Sequence, residues 1–163
     1  MPSKAQKILD ILKILDICVA IHHHEQVFTV AEAQKLRGEI SGAHSKNLFL
    51  KDRKGNIFLI SALEEAFIDL KTLHTKIGAS GRVSFGSQEL LMEILGVEPG
   101  AVSPLGLIND TSNQCTLVMD RKFLDYETLN FHPLDNRMTV SIAPADLTRL
   151  LEETNHAPLY LDF

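Results

Sequence analysis

The chain has 163 residues, 45% of them apolar and 23% charged, with a formal net charge of −5. That balance predicts a single soluble domain over residues 1–163, long enough to bury a sizeable core. No apolar run approaches the roughly 20 residues that a membrane span needs, so a membrane partner is not expected.

Ser3 is placed to cap a first helix, in which Ile8, Leu9, Ile11, Leu12 and Leu15 repeat at helical spacing. Cys18 to Ile21 reads as a short buried strand leading into His22-His23-His24-Glu25. Consecutive histidines point in different directions and no second cluster completes a metal site. The expectation is a surface loop with room for one histidine to turn into a cleft, and no metal. Thr29-Val30-Ala31-Glu32 is a capping box for a helix ending at Gly38.

A hairpin follows, Asn47 to Lys51 and Ile57 to Ile60, around the turn Asp52-Arg53-Lys54-Gly55-Asn56, where Gly55 supplies a positive φ. It carries the polar cluster His44-Ser45-Lys46-Asn47 at its mouth. Ser61-Ala62-Leu63-Glu64 reads as a second capping box, whose helix or helical turn would carry Phe67, Ile68 and Leu70 inward. Gly78 and Gly81 precede a short strand at Val83 to Phe85, and Ser87 caps a helix from Gln88 to Leu95 with Gly96 just beyond.

Val97 to Asp110 holds two prolines and two glycines in a mostly apolar loop. Such a backbone lies close to something, either a ligand that reaches the Gly106 amide or simply its own packing partners. Cys115 to Asp120 alternates as a strand, Phe123-Leu124 starts a helical turn, and Asn130 to Asn136 forms a second polar cluster. Met138 to Ile142 is a strand, and Pro144 with Asp146 opens a last helix to about Glu153. Strands and helices interleave irregularly, which favours a mixed α/β domain over a doubly wound one.

Standard active-site templates are absent: no nucleophile elbow, phosphate loop, dinucleotide fingerprint or zinc-protease helix occurs. Cys18 and Cys115 have neither zinc spacing nor a disulfide framework, and Asp10, Lys13 and Asp16 interrupt any secretory-type run. A reducing, cytoplasmic setting is expected. What remains is a lysine, loop amides and carbonyls, and His132. That set suits orienting a polar ester and stabilising developing negative charge better than covalent catalysis.

Four blocks, His44 to Leu50, Gly96 to Gly100, Pro104 to Asp110 and Asn130 to Asn136, together with Val27-Phe28-Thr29, resemble the free-standing aminoacyl-tRNA deacylases of the YbaK/ProX type. These are relatives of the editing domain of bacterial prolyl-tRNA synthetases. The blocks fall in the family's order over roughly residues 20 to 150. The Gly96-Val97-Glu98-Pro99-Gly100 segment is most similar to the Ala-tRNA(Pro) deacylase branch. Ser45 stands where threonine is usual, and Glu25-Gln26 where that branch often has prolines.

The resemblance implies a mixed α/β fold with a central, mostly antiparallel or mixed sheet. It also implies no cofactor, no covalent intermediate, and water as nucleophile positioned by the substrate's 2′-hydroxyl. It makes Lys46 the essential lysine, with His44 and Asn47 beside it. Gly106 and its loop, including Asn109, would contact the aminoacyl carbonyl. His132, Phe28, Leu107 and Phe131 would shape a small side-chain pocket. The implied activity is hydrolysis of misacylated tRNA(Pro), alanine foremost. Cysteine or serine substrates, and a non-catalytic tRNA- or synthetase-binding module of the same fold, remain open alternatives.

Charge is unevenly spread: residues 1–82 hold 12 Lys+Arg against 9 Asp+Glu, and residues 83–163 hold 4 against 12. Only the first half could present a basic patch to the tRNA acceptor end. Lys51, Arg53, Lys71, Lys76 and Arg82 are the expected contacts, with prolyl-tRNA synthetase as a further candidate partner.

Overall fold

The computed structural model describes residues 3–26, 35 and 40–163. The first helical repeat is realised as α1, Lys4–Ile14, capped by the Ser3 side chain accepting from the Gln6 amide. Ile8 and Leu12 are fully buried, so this face is core. The hairpin is also realised, but its arms are longer than expected: β2 is Ala43–Lys51 and β3 is Ile57–Leu63. His44 to Asn47 therefore lie within β2, not at its mouth.

Among the described residues, eight strands form one mixed sheet in the order β1-β7-β6-β2-β3-β5-β8, with the two-residue β4 (Ser84–Phe85) also on β2. The others are β1 (Ala20–His23), β5 (Cys115–Asp120), β6 (Leu129–Phe131), β7 (Met138–Ile142) and β8 (Leu159–Leu161). β2 runs antiparallel to β3 and parallel to β6, and β7 runs antiparallel to both β1 and β6. β3, β5 and β8 run parallel to one another. Alternation along β3 divides the apolar residues: Ile57 and Leu59 join a large core, whereas Phe58 and Ile60 join a smaller one with Leu73 and Ile77 of α2 (Leu73–Ile77). Helix α3, Gln88–Leu95, starts at Ser87 and stops at Gly96, whose φ of 68° is the left-handed cap expected there. Helix α4, Pro144–Glu153, buries Leu147, Leu150 and Leu151.

Several expectations change. The strand read at Cys18 to Ile21 starts at Ala20, is mostly exposed, and takes in His22 and His23, so these two are edge strand and not loop, with His24 just past the strand's end. Ser61 caps no helix; it is a fully buried member of β3, and its hydroxyl donates to Asn47 Oδ1 at 2.6 Å. Phe67 points outward and is 82% exposed, because no helix forms there to turn it in. β8 has no counterpart among the sequence-based expectations. The capping box at Thr29 and the pocket candidate Phe28 lie outside the described residues. Among the described residues no helix is long and apolar enough to cross a membrane.

Candidate active site

One face of the β1-β7-β6-β2 half of the sheet is polar where a buried face would ordinarily be apolar. Each strand contributes residues two apart, which alternation places on the same side. His22 Nε2 donates to the Ser141 hydroxyl at 3.2 Å, and that hydroxyl donates to Asn130 Oδ1 at 2.6 Å. The Asn130 amide then donates to the Ser41 and Ala43 carbonyls at 2.9 and 3.1 Å. A relay of hydrogen bonds thus runs from the edge strand to the start of β2, with every polar atom of the Asn130 side chain partnered.

His24 and His132 complete the face. His24 Nδ1 donates to the Glu25 carbonyl at 2.8 Å, so its Nε2 accepts from the Thr139 hydroxyl at 2.9 Å. His132 Nδ1 donates to the Met138 carbonyl at 2.8 Å, which leaves the lone pair of the neutral ring on Nε2. The two rings are 6.1 Å apart. Burial holds His132 below its ordinary value, a shift that Met138 opposes and His24 reinforces, so the ring is neutral at pH 7. Just beyond, buried Leu134 adopts a φ of 65°, uncommon for a bulky residue. Among the described residues no three His, Cys, Asp or Glu side chains are grouped as metal ligands.

His44 is aligned with Asn130 across the parallel β2/β6 pair, and its Nε2 donates to the Ile40 carbonyl at 2.8 Å. Lys46 and His132 each lie two residues beyond that aligned pair, on the same face. The half-buried Lys46 ammonium donates to the Ala66 carbonyl. Sequence neighbours separate here. Asn47 points to the opposite face, where it binds Ser61 and lines a recess of about 280 Å³ with Phe49, Phe85, Pro99 and Val102.

The proline- and glycine-rich loop is mostly inward-turned. Gly106 is buried and its amide already donates to the Ser103 carbonyl at 3.0 Å. A Cβ there would stand 3.2 Å from Leu95 Cβ, so close packing on α3 accounts for the glycine. Asn109 Nδ2 donates to the Leu95 carbonyl at 2.8 Å and its Oδ1 accepts from Lys7 at 2.6 Å, closing the C-terminus of α3. Leu107 and Phe131 are 1% and 2% exposed and belong to the large core, Phe131 edge-on to Phe123. These four hold the scaffold. The loop reaches the polar face through Ser103, whose hydroxyl donates to the His132 carbonyl at 2.8 Å.

Of the basic residues, Lys51, Arg53 and Arg82 gather at the turn end of the hairpin. Asp52 ties them by accepting from the Ser80 amide at 2.8 Å, while the Arg53 amide donates to the Ser80 carbonyl at 3.1 Å. Lys71 precedes α2 and is exposed. Lys76 is taken up by the Asp162 carbonyl and lies 4.8 Å over the Phe163 ring. Buried Cys115 is no nucleophile: burial and then the Asp110 charge push its thiol far above the usual range.

Sequence reasoning noticed the histidine tract without placing His22 or His24 on this face, and missed Thr139 and Ser141. Their signal was a polar pair two residues apart on each strand, visible only once the strands are aligned.

The family described as the aminoacyl-tRNA editing domain matches residues 24–150. A zebrafish (Danio rerio) protein named prolyl-tRNA synthetase associated domain-containing protein 1 is 38% identical over 156 residues, covering 94% of this chain and 84% of its own. The prolyl-tRNA editing protein ProX of Acetoanaerobium sticklandii is 35% identical over 148 residues, covering 90% of each chain. A solved structure described as a candidate trans-editing enzyme for prolyl-tRNA synthetase superposes with a TM-score of 0.72 at 20% identity, over 100% of this chain and 99% of the other. The chain belongs to the aminoacyl-tRNA editing domain family.

Proposed function

We propose that this chain is a trans-editing hydrolase that cleaves the ester between a small amino acid and the 3′ end of tRNA(Pro), alanine foremost. The observation that carries this reading is the polar face that Lys46, His44 and His132 share by strand register and alternation in a chain of the editing-domain family. The name of the ProX relative supports prolyl-tRNA as the nucleic acid.

In this reading the Lys46 ammonium leaves the Ala66 carbonyl to meet the ester or the terminal nucleotide, and stabilises the oxyanion that forms when water attacks. Removing one such donor typically costs about 10²–10³ in rate. Neutral His132, oriented by Met138, offers a lone pair to the substrate's hydroxyl or to water. His44, fixed by Ile40, stands two residues before Lys46 on the same face. Proline is excluded by size. A synthetase pocket made for proline cannot strongly reject alanine, because one methylene is worth only about 1–3 kcal/mol, so a second, smaller sieve is needed.

Lys51, Arg53, Lys71 and Arg82 would meet the acceptor end electrostatically, with Lys76 in reserve behind the C-terminal residues. A cytoplasmic setting belongs to this reading, and docking on prolyl-tRNA synthetase fits the relatives' names. Deacylation of a panel of Ala-, Cys-, Ser- and Pro-tRNA(Pro) by purified protein tests the reading. Fastest turnover of Ala-tRNA(Pro) is expected; a cysteine or serine preference would move the substrate within the class. Salt-dependent tRNA binding without any turnover would replace the enzyme by a binding module.

A further inference from the structure

Phe67 is 82% exposed, more than any other large apolar side chain among the described residues. A lone exposed hydrophobic residue is ordinary. This one is set apart by what its backbone touches. The carbonyl of Ala66, which accepts the Lys46 ammonium, is the other half of the Ala66–Phe67 peptide. Covalent geometry then holds the Phe67 Cα within about 6 Å of the Lys46 nitrogen.

The segment is irregular but anchored. Ala66 is buried and its amide donates to the Leu63 carbonyl at 2.9 Å. Ile68 packs against both cores, and Asp69 accepts from the Lys71, Thr72 and Leu73 amides at 3.0, 3.2 and 2.9 Å. With Ala66 and Ile68 both turned in, Phe67 is forced out. A rigid pedestal thus presents a bare aromatic ring beside the lysine of the polar face.

We propose that Phe67 is the stacking platform for the terminal adenine of the tRNA 3′ end. This deepens the deacylase reading and rests on it. The scissile ester sits on the ribose of that nucleotide, so an ammonium that reaches the ester has the base only a sugar's width away. The 3′ end is single-stranded, and proteins hold such bases by stacking them on aromatic side chains next to cationic groups. Exposed Lys71, four residues further along the chain, supplies a second cation for the adjoining phosphate.

The protein contains no tryptophan, so Phe67→Trp installs a single fluorescent reporter. Titration with uncharged tRNA(Pro) should quench it, and the same tRNA lacking its terminal adenosine should quench several-fold less. Phe67→Ala should raise KM for Ala-tRNA(Pro) roughly 5- to 150-fold with little change in kcat, and Phe67→Tyr should restore it. Equal quenching by both tRNAs, or an unchanged KM, overturns the platform while leaving hydrolysis intact. Adenosine-dependent quenching without hydrolysis keeps the platform and removes the enzyme reading. Neither quenching nor hydrolysis overturns both.

Discussion

His24 and His132 are held by adjacent residues of one strand: Thr139 of β7 donates to His24, and the Met138 carbonyl accepts from His132, so the rings meet 6.1 Å apart. The His24 ring thereby helps to lower the proton affinity of His132.

This pairing fixes the pH dependence of the site. His132 has its proton affinity lowered below the ordinary 6.5, first by burial, with Met138 opposing, His24 lowering it further and Asp135 opposing. The acid limb of kcat/KM should therefore fall below pH 6.5. His24→Gln removes the neighbouring ring that helps to lower His132 and should move that limb upward, and an NMR titration of the His132 ring should follow it without reference to activity. Stability has the same sign. Between the lowered folded value and 6.5 the unfolded chain binds more protons, so this group's contribution is lost as pH falls through that interval.

Lys46→Ala should lower deacylation by about 10²–10³ while the thermal unfolding transition survives, because the substitution removes a single exchangeable hydrogen bond to Ala66. Lys46→Arg should not rescue, since a planar guanidinium cannot replace a compact ammonium in a half-buried position. Circular dichroism beside the deacylation assay separates loss of function from loss of fold.

Asp52 organises the hairpin turn. Its carboxylate accepts from the Lys54, Asn56 and Ser80 amides and from the Asn56 side chain, all at 2.8–2.9 Å. Burial alone would raise its pKa, yet these bonds outweigh it and hold it at about 2, against an ordinary 3.8. The stabilisation it gives is complete above pH 3.8 and is lost as pH falls through about 2. Asp52→Ala should lower the thermal midpoint at pH 7 and narrow its gap from the parent as pH approaches 2.

Local rules were legible where one residue decides the outcome. Ser3, Ser87, Gly96 and Pro144 start or stop helices at the expected positions, because capping is settled within a turn of chain. Ser61 misled because its hydroxyl has two possible partners, a helix amide or Asn47, and pairing of β2 with β3 selects the second. The site was half legible. Lys46, His44 and His132 stand out by type, but Asn47 and Phe131 adjoin residues of the polar face in sequence and face the other way in space, while Gly106 and Leu107 are turned into the packing of their own loop. Strand alternation makes neighbours diverge. The His22–Ser141–Asn130 relay joins β1 to β7 and β6 across 119 residues of chain, so no local window holds it.

Gly106→Ala separates packing from a role at the substrate. The added methyl would stand 3.2 Å from Leu95 Cβ and 3.4 Å from its carbonyl oxygen. Overpacking of this kind costs about 1–3 kcal/mol. Denaturant titration should report that loss, while kcat per folded molecule stays near the parent value. A selective fall in kcat with unchanged stability would return Gly106 to the substrate.

The exposed end of the hairpin offers the last test, because it separates affinity from chemistry. Lys51 lies five residues along β2 from Lys46, about 17 Å at strand rise. It is thus too far to touch the ester, and the odd spacing turns it to the Asn47 face, so a phosphate that it meets lies further along the acceptor end. Charge reversal at Lys51 and Arg82, both exposed, should raise KM for charged tRNA and leave kcat nearly unchanged. For every phosphate that is no longer neutralised, the dependence of log affinity on log salt should also flatten by roughly 0.7–0.9. Lys13→Glu on α1, outside this patch, is the control. Equal effects from all three would mean that net charge alone attracts the tRNA, whereas an unchanged KM at Lys51 and Arg82 would move the nucleic acid to another surface.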